Sequence, residues 1–273
     1  MPSRVRKAPA LTVRWLTIVA LAAAGVSGCA PRRGITLPTG AGLPFGEAEQ
    51  VHAALAAPCR AVRTLTTELG LAGRVDGQRL RGRVIAGFER PASMRLEGVA
   101  PFGPPAFIVA SRAGTAVLLL PRDRRVVRDA SAASLLAALT GVALGPDDLQ
   151  AILTGCVIPF PEAVSGQRYG EAWASVDLVG GATVFLRREA GAWVLRAARR
   201  EDWQLEYSGR QGDFPQSVRL RSVRGTPSVD LTATMTQFMT NVEIEPAAFS
   251  LDVPVEALPM TVEELARGAA WRR

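Results

Sequence analysis

SMRLEGVAPFGPPAFIVASRAGTAVLLLPRDRRVVRDASAASLLAALTGVALGPDDLQAILTG, residues 93–155, contains the pattern from which the fold is read. It opens as a strand, because Met94 and Leu96 alternate with Ser93, Arg95 and Glu97 and so occupy opposite faces. Pro101-Phe102-Gly103-Pro104-Pro105 then forces a turn and leaves Phe102 with no local packing partner. Three short strands follow, at 106–112, 115–120 and 124–129, separated by Gly114 and by the turn at Pro121–Asp123. An antiparallel meander fits this order. Ser131 is placed to cap a helix over 132–140 bearing Leu135, Leu136 and Leu139, and Gly141 closes it. Pro146, Asp147 and Asp148 open a second helix with Leu149, Ile152 and Leu153, which stops at Gly155.

The order of strand, Pro-Phe-Gly turn, meander, Ser-Ala-Ala-Ser-Leu-Leu helix, Pro-Asp-Asp-Leu helix and Leu-Thr-Gly resembles LolB, the outer-membrane lipoprotein receptor family within the LolA/LolB-like group. The pattern covers the middle third of the chain well and the C-terminal half loosely. The resemblance implies a mainly β (α+β) fold. A curved antiparallel sheet of about eleven strands would form a half-barrel, closed by helices over an apolar cavity for lipoprotein acyl chains. Val84, Phe88, Met94, Leu96, Ile108, Leu118, Leu135, Leu136, Leu139, Leu205 and Leu231 would line that cavity. Pro101, Phe102 and Gly103 would match the protruding loop that delivers cargo to the membrane. A periplasmic LolA-like carrier would be the partner, and a monomer is expected.

Outward from this block, the first 28 residues read as a targeting segment. Arg4, Arg6, Lys7 and Arg14 precede an apolar run from Trp15 to Ala24 that is short for a membrane span. Val26-Ser27-Gly28-Cys29 resembles a bacterial lipobox, with Cys29 as the lipidated residue of the mature chain. The alternative is an ordinary signal peptide or anchor helix. Several acyl chains on Cys29 would hold the protein at a bilayer, since each buried methylene contributes about 0.8 kcal/mol. Ala30, in place of Asp, resembles lipoproteins released to the outer membrane, whose periplasmic face is the expected location. Residues 29–46, with three prolines and four glycines between Pro31 and Gly46, read as a flexible tether. Residues 47–273 read as one domain.

The net charge of +7 falls once the segment is removed, to 28 basic against 25 acidic groups. No basic run interleaves with exposed aromatics, which excludes nucleic acid as a partner. Glu47 starts an amphipathic helix with Val51, Ala54 and Leu55 on one face, and Pro58 breaks or kinks it. His52, the single histidine, reads as a surface residue of that helix. Cys59 and Cys156 remain after lipidation, and in an oxidising compartment an even pair points to a disulfide. The alternative is two buried thiols that never meet.

Strands are expected at 65–73, 79–89, 167–179, 183–188, 192–199, 203–207, 218–221, 229–236 and 249–254, with a capped terminal helix at 261–270. No catalytic constellation stands out. One histidine supplies no metal cluster, no Gly-x-Ser-x-Gly turn is present, and no glycine-rich loop cradles phosphate. Neither enzyme activity, metal nor cofactor is expected. Phe102 could instead fold back onto the sheet, and each apolar inward residue could be ordinary core. Two other functions remain open, carriage of another lipid or glycolipid and a structural or interaction lipoprotein with a filled core.

Overall fold

Alternation in the chain becomes pleat in the structure, a computed structural model that describes residues 34–159, 161–224 and 228–268. The targeting segment, the lipobox and Cys29 lie outside those residues. The described residues from Ile35 on form one compact unit.

Helix α1, Ala48–Arg60, follows the two-residue strand β1, Leu43–Pro44. Six strands then run antiparallel in sequence order: β2, Thr64–Val75; β3, Gln78–Glu89; β4, Ser93–Val99; β5, Ile108–Arg112; β6, Thr115–Leu120; β7, Arg125–Ala130. Helices α2, Ala132–Thr140, and α3, Pro146–Thr154, lead to a second antiparallel series. It comprises β8, Ala163–Tyr169; β9, Trp173–Leu178; β10, Thr183–Glu189; β11, Ala192–Arg200; β12, Trp203–Gln211; β13, Phe214–Ser222; and β14, Val229–Thr240. A 3-10 turn at Pro246–Phe249, strand β15, Leu258–Pro259, and helix α4, Val262–Gly268, complete the described chain.

Among the described residues one sheet of 15 strands results, in the order β1-β8-β9-β10-β11-β12-β13-β14-β2-β3-β4-β5-β6-β7-β15. The two series meet where β14 pairs with β2, from Val229 opposite Val75 to Thr240 opposite Leu65. The expected half-barrel of about eleven strands is therefore corrected. The sheet is open, and its two ends, β1 and β15, do not pair with each other. Alternation tells which residues share a face, but closure depends on strand tilt and stagger, which no single strand encodes. The strand count differs for local reasons. The run 167–179 divides into β8 and β9 at Gly170, whose φ of 61° turns the chain. The expected last strand at 249–254 does not form: Phe249 ends the 3-10 turn, and residues 250–254 carry no strand. The two-residue end strands are too short to show a period.

The helices follow their local signals. Ser134 N donates to Ser131 Oγ at 3.1 Å, and Gly141, at φ 77°, returns its N–H to Ala137 O. Gly145 N donates to Asp148 Oδ2 at 3.2 Å, and the other oxygen of Asp148 lies 2.7 Å from Arg200 Nη1. Thus Asp148 joins the start of α3 to the sheet.

Helix α1 is rotated from expectation. Its buried stripe is Ala48, His52, Ala56 and Cys59, while Ala54 is exposed. Pro58 does not end it, and the helix runs on to Arg60. The carbonyl that Pro58 leaves without an intrahelical donor belongs to Ala54, on the wet side, where water can take its place. The Cys59–Cys156 disulfide is present, with the two Cα atoms 5.8 Å apart. It ties the last turn of α1 to the residue after Gly155. Part of the stretch read as a tether is packed. Leu37 is buried against Phe185 and Ala197, and Phe45 meets Trp193 edge to face at 5.4 Å.

Candidate functional site

Most of the expected cavity residues meet in one place. Val84, Phe88, Met94, Leu96, Leu118, Leu135, Leu136, Leu139 and Leu205 are all buried in a single core, and Leu231 packs half-buried against it. They belong to one buried cluster that includes the leucines of α2. None of them lines either cleft described below. Ile108 stands apart, on the opposite face. Leu96 pairs with Val109, which takes the core position, and Ile108 pairs with Glu97. A one-residue shift in register moves every side chain to the other face. The residue that packs against β4 from this connection is Phe107, whose ring lies where a Cβ on Gly98 would stand, 2.5 Å from that position.

Phe102 is 87% exposed and does not fold back onto the sheet. Gly103 beside it has φ 76°, and Arg122 of the β6–β7 turn donates to the Phe102 carbonyl. The same turn receives the C-terminal strap, because Leu258 N donates to Arg124 O at 2.8 Å. Val255 and Leu258 on this strap are exposed too. Phe102, Val255 and Leu258 thus stand exposed on two segments that each hydrogen-bond to the β6–β7 turn.

A cleft of about 160 Å³ lies between α1 and strands β10 to β13. Val184, Leu186, Leu195, Phe214 and Pro215 form its sheet side, and His52, Leu55, Ala56 and Pro58 its helix side. Arg196, Arg210 and Asp213 also reach it. Arg196 is held by Glu189, with Nε 2.7 Å from Oε1, and this pairing keeps the Glu189 carboxyl below its usual range. Thr154 is satisfied, donating to Gln150 O at 2.7 Å. Tyr207 is different. Its side chain is 2% exposed, and its hydroxyl has no hydrogen-bond partner among the described residues. Burial pushes the phenol well above its ordinary range, so it stays protonated and remains a donor. His52, 5% exposed, has its pKa lowered by burial and then by Arg60, so it is neutral at pH 7.

The sequence reading missed both residues. His52 was legible in one respect, since Ala48, His52, Ala56 and Cys59 recur at helical spacing. Tyr207 showed only as one member of an alternating strand, which does not distinguish a core tyrosine from one facing a cleft.

A second cleft, of about 410 Å³, is on the other face of the sheet, between β2 to β4 and the segment from Gln237 to Phe249. Ile85 and Met239 border it, and Arg95 crosses it, 2.6 Å from Glu97 and 3.0 Å from Ala248 O. Among the described residues no group of three or more His, Cys, Asp or Glu could hold a metal ion. None of the described helices is long and apolar enough to cross a membrane.

No family model and no curated protein matches the chain. Solved structures do. A DUF1329 family protein from Desulfovibrio piger aligns with a TM-score of 0.50 and 11% identity, over 76% of this chain and 98% of the other. The chain shares that protein's fold. A LolA superfamily protein from Nitrosomonas europaea aligns at a TM-score of 0.49 and 8% identity, over 75% of this chain and 98% of its own.

Proposed function

We propose that the protein is a lipid-anchored carrier or receptor, held through Cys29 at the periplasmic face of the outer membrane, that passes acylated lipoproteins to the bilayer. The observation that carries this reading is Phe102, 87% exposed on a proline-rich loop. Burying a phenylalanine at an interface contributes about 1.5 to 3 kcal/mol, enough for transient contact and too little for permanent insertion. The resemblance of residues 93–155 to LolB and the lipobox at Cys29 support the same reading. Cargo chains would enter between α2 and the sheet, displacing Leu135, Leu136 and Leu139 from the core. A LolA-like carrier would hand the cargo over.

The burial of the expected cavity residues in one core favours a second reading, an interaction lipoprotein whose faces bind other envelope proteins. Titration of the full chain in nanodiscs with a fluorescent triacylated peptide separates the two. Saturable binding, retained in Phe102→Glu with delivery to liposomes lost, is the carrier outcome. No binding by folded protein establishes the second reading and removes the first.

A further inference from the structure

Strand β3 is longer than the strand beside it. It pairs with β2 from Gln78 to Glu89, but β4 reaches it only from Arg83, opposite Val99, to Glu89. On the β4 side, Gln78–Gly82 has no neighbouring strand among the described residues. The loop after β4 is drawn the other way, since Arg122 of the β6–β7 turn holds the Phe102 carbonyl. An edge of about 17 Å is left open, at ~3.3 Å per residue.

The hairpin fixes which backbone groups face that edge. Asp76 and Gly77, with φ of 47° and 77°, form a two-residue turn between Val75 and Gln78. A primed turn of this kind closes on a hydrogen-bonded pair, so Gln78 and, by alternation, Leu80 and Gly82 direct their N–H and C=O groups to β2. Arg79 and Arg81 direct theirs outward. The far end of the strand gives the same phase. Gly98 bonds through its backbone to Phe107 and Ala106, so its neighbour Val99 turns toward β3 and Arg83.

The side chains at these two positions are exposed as well, and neither arginine has an ion-pair or hydrogen-bond partner among the described residues. Arg79 stands opposite Arg74, in a pair of the closely spaced kind, where like charges repel. Asp230, the neighbour of Arg74 on β14, is already bound to Arg219 through two bonds of 2.7 Å. Between the two arginines, Leu80 turns to the other face and packs half-buried against the core.

A ligand that answers all of these features has a backbone of its own. A phosphate or lipid headgroup would meet the guanidinium groups and leave the outward N–H and C=O groups unmatched. A second copy of this edge would set arginine against arginine. We infer that Gln78–Gly82 takes an extended acidic peptide as an added antiparallel strand, in the line of β4. The N–H groups of Arg79 and Arg81 donate to peptide carbonyls, and their C=O groups accept from peptide N–H groups. The two peptide residues in these pairs lie opposite the arginines on the same face. They are therefore carboxylates two residues apart, with an apolar residue between them beside Leu80. The inference goes beyond the carrier reading: a failed delivery assay leaves it intact, and a failed peptide titration leaves the Phe102 reading intact.

The test titrates the full chain, in nanodiscs of phosphatidylcholine, with the peptide amide Thr-Glu-Val-Glu-Thr carrying a neutral fluorophore. Saturable binding is expected, and replacing both Glu residues of the peptide by Gln should weaken it about tenfold. Arg79→Gln with Arg81→Gln should weaken it to a similar degree. N-methylation of both Glu residues, whose N–H groups face β3, should abolish binding, whereas N-methylation of Val, whose N–H faces away, should not. Residue-resolved hydrogen exchange should show the Arg79 and Arg81 amides unprotected in the free protein and protected with peptide, and the Leu80 and Gly82 amides protected in both. Arg81→Pro removes only an outward N–H, so it should fold as the wild type does and bind more weakly than Arg81→Gln.

Binding that survives methylation of both Glu residues is charge attraction alone and overturns the proposal. Protection of the Arg79 and Arg81 amides in the free protein means that the edge is already covered, and overturns it too. No peptide binding by folded protein does the same, and leaves the arginines as guards against self-pairing. Retention on phosphatidylglycerol vesicles that is lost in the double Gln variant, with no peptide bound, would assign the patch to a membrane instead.

Discussion

Under α2 the sheet meets hydrocarbon; under α1 it meets a histidine and a tyrosine. The sheet face is the same in both regions, and the helices make the difference. Helix α2 turns Leu135, Leu136 and Leu139 inward, large enough to reach Met94 and Leu118 in the common core. The buried stripe of α1 is Ala48, His52, Ala56 and Cys59, and the two alanines are too short to fill the space over β10 to β13. A cleft remains there, whereas α2 contributes three leucines to the common core. Side-chain volume along one helical stripe decides whether a sheet face becomes core or binding surface.

The contrast can be broken or sharpened by experiment. The largest effect is expected from Cys59→Ser with Cys156→Ser, which frees α1 from the end of α3. The bridge spans 97 residues, and closing so long a loop stabilises by about 4 to 5 kcal/mol. Urea unfolding of the variant, set against the wild type with and without reductant, should show a loss of that order. A loss below about 1 kcal/mol would mean that α1 is held by packing alone.

Leu135→Ala comes next. Its side chain is fully buried, so truncation should cost about 3 kcal/mol in denaturant titration. The same change at Leu55, which borders the cleft, should cost clearly less. Equal losses would mean that the two regions are equally filled.

Ser131→Ala removes the bond from Ser134 N and should cost about 1 kcal/mol, read by the same titration. Last is an effect of which only the sign is at stake. Burial holds the folded-state pKa of His52 below the ordinary imidazole value of 6.5, so below about pH 6.5 the unfolded chain binds more protons than the folded one. Stability should therefore be fully present above pH 6.5 and fall as the pH drops through the window below it. His52→Leu should flatten that part of the pH–stability curve, and an unchanged slope would place the histidine in water.

Local signals were legible where one segment contains its own physics. The Ser131 cap, the Gly141 and Gly155 stops and the alternation of Met94 with Leu96 all depend on neighbours within a few residues. The disulfide was legible for a similar reason, since two cysteines admit one pairing. Ile108 was misplaced because its face depends on where β5 starts relative to β4, a matter of register between segments. His52 was misplaced because the inward face of α1 is chosen by what it packs against. Val51 and Leu55 form as good an apolar stripe in isolation.

By itself the sequence determined most of the strands, the helices that join the two antiparallel series, the placing of Phe102 in a turn of proline and glycine, and Cys59 and Cys156 as the one pair left after lipidation. Each follows from bonds or steric limits within a short stretch, or from chemistry that leaves one partner. Only the tertiary structure decided that the sheet stays open, that Leu135, Leu136 and Leu139 are buried in the common core, and that the Tyr207 hydroxyl is buried without a hydrogen-bond partner among the described residues. Those outcomes depend on stagger between strands and on volumes contributed by residues far apart in the chain, such as Ala56 on α1 and Leu186 on β10.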